Sequence, residues 1–303
     1  MNKKIIMPSI LSNCGFSHNT HAFRYRPDTV TKDDGVERNY SIEEISNSAI
    51  WHAAIGTLND PFEAYAKSNR NELQELNEDE WFKLWVKCFA KARAPWVLLY
   101  PLSTDCLREH FEEHMLLEKS FMIERFQAYD FFGDFIQDFR ETIAIASFTS
   151  IPDSRLMWGY YCRGMNGFCI IYNRERLLAS KIRLDDVDYD ESVIQVNSMD
   201  HAYSYRTERN DDVLIKIPKF KHREWSHETE LRSLCKLEGN ESGVGKLISV
   251  EKSCVDGVII GNKVRVATRK RLEELSKELD FALFYAEPNL EKFIVDVSEY
   301  PKS

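Results

Sequence analysis

The chain has 303 residues, with 40 Lys+Arg against 49 Asp+Glu and a formal charge of −9. Hydrophobic residues make up 43% and charged residues 29%, which excludes disordered, collagen-like and low-complexity chains and supplies apolar mass for a core. The acidic balance argues against a surface that coats nucleic acid broadly, while leaving room for a local basic patch.

At the start, Lys3 and Lys4 precede a short apolar run and Cys14, an arrangement like a lipoprotein signal. The run is too short, Pro8 interrupts it and Asn13 suits the site poorly, so no secretion signal is expected. No stretch approaches the roughly 18 apolar residues of a membrane span, and no membrane partner is expected. The seven cysteines are odd in number and contain no C-x-x-C pair, which reads as reduced thiols in a cytoplasmic protein.

In chain order, Phe23 to Pro27 reads as a strand, Ser41 to Ile45 as a capped turn, and Ile50 to Ala54 as a strand. Leu58-Asn59-Asp60-Pro61-Phe62-Glu63 has strong turn chemistry, because Asx side chains bond their own backbone and Pro sets φ. Residues 71–142 are helical, with apolar residues recurring at three and four spacing through Trp81, Leu84, Trp85, Cys88 and Phe89 and again from Leu107 to Phe139. Pro95 and Pro101 separate two helical stretches, and the region reads as a helical insertion. From residue 143 strands and helices alternate. Ile143 to Phe148 is a strand, and Asp153 to Tyr161 a helix capped by Asp153 or Ser154. Gly167 to Tyr172 is a strand followed by a short helix through Leu178. Glu228 to Leu237 and Val255 to Ile260 are strands, Val264 to Leu279 a helix, and Phe281 to Tyr285 and Phe293 to Val297 strands. The expected architecture is a single α+β domain over 1–303, with a mixed, mostly antiparallel sheet core and a helical insertion at about 71–142.

Several segments carry chemistry. His110-Phe111-Glu112-Glu113-His114 matches the inverted zinc-peptidase spacing, and a solvated helix face is the favoured reading. Gly239 to Gly245 reads as a hairpin rather than a phosphate cradle, since Glu241 sits inside it. Lys216, Lys219, Lys221, His222 and Arg223 form one basic run, and Arg265, Arg269, Lys270 and Arg271 a second. Trp225-Ser226-His227-Glu228-Thr229-Glu230-Leu231-Arg232 is the most chemical segment. On a strand, Glu228 and Glu230 share a face with Arg232 beyond them, a pair able to hold a hydroxyl and stabilise positive charge. A solvent-facing strand with an Arg–Glu pairing is the bland alternative.

Taken together, Phe23-Arg24-Tyr25-Arg26, Asn59 to Glu63, Ser147-Phe148-Thr149-Ser150, Met157-Trp158-Gly159-Tyr160-Tyr161 with Gly167-Phe168-Cys169-Ile170, and Trp225 to Arg232 resemble the bacterial domain-of-unknown-function family 2971. The resemblance spans nearly the whole chain. It implies no activity by itself, and it associates the chain with phage defence and toxin genes. The order of an early Arg, a Ser-x-Thr-Ser strand end and a late Glu-x-Glu is also similar to ADP-ribosyltransferases. That similarity implies NAD as substrate. Arg24 or Arg26 would bind its phosphate, Ser147 and Thr149 would position the nicotinamide ribose, and Trp158 or Tyr160 would stack on nicotinamide. Glu230 would stabilise the oxocarbenium-like transition state, and Glu228 would orient an acceptor or a water. The expected function is a bacterial effector acting on NAD by ADP-ribosyl transfer or hydrolysis, with a nucleic acid or protein as a possible acceptor. Two other classes stay open: a non-catalytic nucleotide- or nucleic-acid-sensing module using residues 216–223, and a metal-dependent nuclease using Asp60, Glu63, Glu228 and Glu230.

Overall fold

The computed structural model describes residues 6–33, 35–69, 71–88, 90, 104–128, 131–197 and 215–301. The chain packs as two units, one made of Met1–Glu63, Arg140–Glu191 and Lys219–Ser303, the other of Ala64–Phe139 and Ser192–Pro218. The expected insertion at 71–142 lies mostly within the second unit, which also takes in a later segment.

The first unit is built on a ten-stranded sheet. Its strands are β1 (His21–Pro27), β2 (Ala49–Ala54), β3 (Ile143–Thr149), β4 (Gly167–Asn173), β5 (Asp185–Asp186), β6 (Glu230–Lys236), β7 (Gly245–Ser249), β8 (Val255–Gly261), β9 (Ala282–Asn289) and β10 (Ile294–Glu299). The main path runs β7-β2-β3-β1-β4-β8-β9-β10, and β6 pairs with β3 and β5. Every pair is antiparallel except β8–β9, whose connection contains the helix Val266–Leu279. Mixed pairing with helices segregated from the strands makes this an α+β fold.

The sheet forks at β3. Strand β6 occupies one edge of β3 along its whole length, from Glu230↔Thr149 to Lys236↔Ile143. The other edge is shared. Strand β2 pairs only at Ala53↔Ile145 and Ala54↔Ala144, and β1 only at Phe23↔Thr149. Between those contacts β1 and β2 diverge, and backbone groups there lose a strand partner. Arg24 fills the gap, donating from Nη1 to the Ser147 carbonyl at 3.2 Å and from Nη2 to the Trp51 carbonyl at 2.9 Å.

Strand alternation sends side chains to opposite faces. One face carries Ala22, Phe148, Ile170, Tyr172 and Leu231, in a core sealed by the helices Tyr40–Ser46 and Val266–Leu279 through Ile42, Ile45, Leu272 and Leu275. The other carries Phe23, Tyr25, Cys169, Ile171 and Ile259, packed with Met157 and Trp158 of the helix Arg155–Tyr160. A side chain at Gly167 would collide with the Arg26 carbonyl and Cys162, so the strand that pairs with all of β1 begins on glycine.

In the second unit, the helices Glu78–Cys88, Thr104–Glu113 and Met115–Ala128 bury Trp81, Leu84, Trp85, Phe111 and Met122 together. The Trp85 indole donates to Glu118 at 2.9 Å, which satisfies both buried groups. Pro95 and Pro101 lie outside the described residues.

Two local expectations change. Ser41 to Ile45 belongs to a seven-residue helix, because Asn39 accepts from the Ser41 and Ile42 amides as its N-cap. Gly239 to Gly245 is not a hairpin between paired strands, since β6 pairs with β3 while β7 pairs with β2. The two basic runs lie largely at the surface, and most of their cations are paired. Lys219 pairs with Asp185, Arg223 with Glu191, Arg265 with Asp28, and Arg271 with Glu274 and Glu278. Arg269 donates to the Val264, Gly261 and Asn262 carbonyls.

Candidate functional site

A cavity of about 210 Å³ opens where β1 and β2 part from β3. Trp51 and Ala53 of β2, Ile145 and Ser147 of β3 and Glu230 of β6 line it from one sheet face. Met157 and Tyr161 line it from the helix Arg155–Tyr160 and its C-cap, being four residues apart and so on one side of it.

Glu63 enters through the Asn-Asp-Pro-Phe-Glu turn. The Asp60 carboxylate accepts the Phe62 amide at 2.9 Å, and the Glu63 amide reaches the Asp60 carbonyl at 3.1 Å. Arg140 donates to the Glu63 carbonyl. The turn leaves Phe62 74% exposed and Glu63 4% exposed, so the carboxylate goes inward.

Lys221 sits on the short strand Phe220–His222, parallel to Asp188–Asp190, and is buried. Its ammonium lies 2.6 Å from Glu228, 3.0 Å from Glu230 and 3.7 Å from Glu63. It also sits 5.0 Å from the centre of the Trp225 ring, a cation–π distance. Arg232, 1% exposed, contacts Glu230 through Nε at 2.9 Å and Nη2 at 3.0 Å, and Glu63 through Nη2 at 2.7 Å. Tyr161 donates its hydroxyl to Glu228 at 2.5 Å. Three carboxylates thus share two cations, and the cluster carries one net negative charge when all are ionised.

Glu230 and Glu63 titrate apart. Burial pushes Glu230 up, but Arg232 and Lys221 outweigh it, with hydrogen bonds from Arg232 and Ser147, and hold it down at about 2. Burial raises Glu63, and there Arg232 and Lys221 do not overcome the desolvation. Burial also raises the Tyr161 phenol, with Glu228 adding to it, so that group stays a donor. The raised Lys221 pKa arises against burial, from Glu230, Glu228 and Glu63. Carboxylates whose environments separate their protonation states are the usual basis for acid–base division of labour.

Glu228 and Glu230 do not share a strand face in the way the spacing suggests. Glu228 ends the 3₁₀ turn Arg223–Glu228, and Thr229 takes a left-handed conformation at φ 45° before β6 begins at Glu230. The backbone twist, not strand alternation, turns both carboxylates onto Lys221. Thr149 fixes this corner: its hydroxyl donates to the Glu228 carbonyl at 2.5 Å and accepts the Ile151 amide at 3.1 Å. A β-branched residue at positive φ is strained by about 1–2 kcal/mol. Thr229→Gly relieves that strain, less the entropy cost of glycine. We expect stability in urea to rise by up to about 1 kcal/mol. A drop in the urea midpoint would show that the Thr229 side chain holds the corner.

Arg24 and Arg26 project from β1 on the sheet face opposite Glu230 and line the cavity through the fork. Both surround the buried Glu44, with Nε–carboxylate distances of 2.9 Å for Arg24 and 3.1 Å for Arg26. Arg24 is consumed by this ion pair and its two carbonyls, and it lies over the Phe148 ring at 5.2 Å. Burial lowers its pKa, and Glu44 counters this. The terminal amino groups of Arg26 have no partner among the described residues.

Of the other expected site residues, Ser147 lines the cavity and reaches Glu230. Thr149 is buried, with its hydroxyl already engaged. Trp158 is core: it packs edge-on against Tyr25 at 5.3 Å and donates to the Pro152 carbonyl. Tyr160 is 66% exposed, and neither ring lines the cavity. The aromatic donor that does is Tyr161, identifiable only from its four-residue spacing to Met157. Lys221 and Arg232 were visible as charges but not as partners of buried carboxylates.

No group of three His, Cys, Asp or Glu among the described residues is placed to hold a metal ion, His110 and His114 included. Lys221 and Arg232 occupy the space between the carboxylates that the nuclease reading assigns to metal. No helix among the described residues is long and apolar enough to cross a membrane. Comparison with protein-family models, curated proteins and solved structures finds no match.

Proposed function

We propose that this cavity binds the nicotinamide end of NAD and breaks its N-glycosidic bond. The observation that carries the reading is the separation of charge across the cavity. One wall holds the carboxylate cluster with its excess negative charge, and the other holds Arg26, whose terminal amino groups have no partner among the described residues. A cationic ring joined through ribose to a phosphate matches that polarity. Planar guanidinium groups suit phosphate oxygens in particular.

In the bond-breaking step the C–N electron pair leaves with the ring, which becomes neutral nicotinamide, and positive charge develops on the ribose. Glu230 is ionised throughout the physiological range and fixed by Arg232 and Lys221, so it meets that charge without reorganising. Ser147, beside Glu230, supplies a hydroxyl for the ribose. The cavity volume lies below the ~300–1,000 Å³ of pockets that enclose whole drug-sized ligands. It therefore takes one end of the dinucleotide and leaves the adenosine outside. Consumption of NAD fits the defence- or toxin-associated role that the family resemblance implies.

The test is nicotinamide release from NAD by purified protein. Arg26→Ala should raise KM about 10- to 100-fold with a smaller change in kcat, as expected for loss of a charged phosphate contact. Intact NAD after prolonged incubation with wild-type protein and candidate acceptors would remove the reading.

A further inference from the structure

We infer that the acceptor in this reaction is water, activated by Glu63, so that the protein is a hydrolase rather than a transferase. The inference rests on the NAD reading and concerns the second half of the reaction.

The first observation is depth. Glu63, Glu228 and Glu230 are each no more than 4% exposed, at the wall of a cavity of about 210 Å³. A side chain of a folded protein or a base of a nucleic acid acts as acceptor only if it reaches the ribose carbon while the nicotinamide end fills that space. A water molecule, with a share of about 30 Å³, needs no such access.

The second observation is the unequal engagement of the two Glu63 oxygens. Oε1 accepts from Arg232 at 2.7 Å, which fixes the carboxylate plane. Oε2 stands 3.7 Å from the Lys221 ammonium, too far for a hydrogen bond. The other carboxylates are more heavily engaged: Glu230 has Lys221 and Arg232, and Glu228 has Lys221 and Tyr161. Glu63 is thus the carboxylate of the cluster with an oxygen still able to take a proton. Burial raises its pKa while Glu230 is held down, so Glu63 is a stronger base than Glu230.

The third observation is backbone conformation. Ala64, immediately after Glu63, has a left-handed φ of 50°. A left-handed conformation strains a non-glycine residue, and the turn bears that strain while it sends the Glu63 carboxylate inward.

The step balances without a further reactant. A water oxygen bonds to the ribose carbon as the C–N bond to nicotinamide breaks. The water proton passes to Glu63 Oε2, and the C–N electron pair leaves with nicotinamide. The products are free ADP-ribose and nicotinamide, and Glu63 returns its proton to solvent.

The experiment compares wild-type protein and Glu63→Gln in nicotinamide release, in the fate of the ADP-ribose, and in rescue by azide, a nucleophile that needs no base. Glutamine keeps an oxygen for Arg232. The expected result is free ADP-ribose in equal amount to nicotinamide, a fall in kcat of about 10²–10⁴-fold in the variant, and restored turnover with azide as an azide adduct. ADP-ribose attached to a macromolecule, or a variant with wild-type kcat, overturns the inference but keeps the NAD reading. Absence of nicotinamide release from wild-type protein removes both. Should the variant not fold, wild-type kcat must still fall on acidification, with a midpoint above the ordinary glutamate value. A flat profile overturns the role of Glu63.

Discussion

Arg232→Met is expected to destabilise the protein by about 3–5 kcal/mol, the largest stability effect of any single change at the site. The guanidinium is 1% exposed and serves Glu230 and Glu63 at once. Methionine is similar in volume and leaves no large void, so the cost comes from charge. Two buried carboxylates lose their principal cation, and Lys221 alone remains for three. Urea denaturation reads the loss directly. A double variant with Glu230→Gln should recover part of it, because the uncompensated charge is then smaller. Additive losses would mean that the pair does not act through charge.

Glu230→Gln carries a large expected effect on turnover. Removing a fixed charge opposite a developing positive charge costs on the order of 10²–10³-fold in kcat, by analogy with removal of a single preorganised electrostatic group. Nicotinamide release read against a melting curve separates this from misfolding. A variant that melts well below wild type leaves kcat uninterpretable. For that reason Glu230→Asp, which keeps the charge but shortens the reach, belongs beside it, with an intermediate loss expected. Wild-type kcat in both variants contradicts a role for Glu230 in bond breaking. Stability also depends on this group. Its folded pKa lies below the unfolded value, so its contribution is present above about pH 4.5 and is lost as pH falls toward about 2.

Much of the fold was legible in the sequence because apolar periodicity is local. Strands β1 to β4 and β8, and the long helix Val266–Leu279, fall where alternation or helical spacing places them. The Ser154 cap was legible for the same reason, since its side chain bonds the Met157 amide three residues on. The fork at β3 was not, because sheet order depends on which non-local strands meet. Nothing within β3 marks its edge as shared by two strands. The Glu-x-Glu segment illustrates the same limit at the site. Its residue types pointed to paired carboxylates, yet the pairing geometry comes from the positive φ at Thr229 and from a lysine seven and nine residues upstream on another strand. The motif-order similarity also put Trp158 in the site, whereas the ring packs edge-on against Tyr25 in the core.

The fork has a mechanical consequence. Strands β2 and β7 on one side, and β1, β4 and the strands beyond on the other, are joined through β3 and the Arg24 wedge. A ligand that grips Arg26 at one end and the carboxylate cluster at the other spans the opening as a cross-tie. Its binding energy then acts on the angle between the two limbs. Occupancy at 100 times Kd amounts to about 2.7 kcal/mol, comparable with the electrostatic ties already present. Arg24 ties the two limbs at one point, and a ligand bound across the opening ties them at a second.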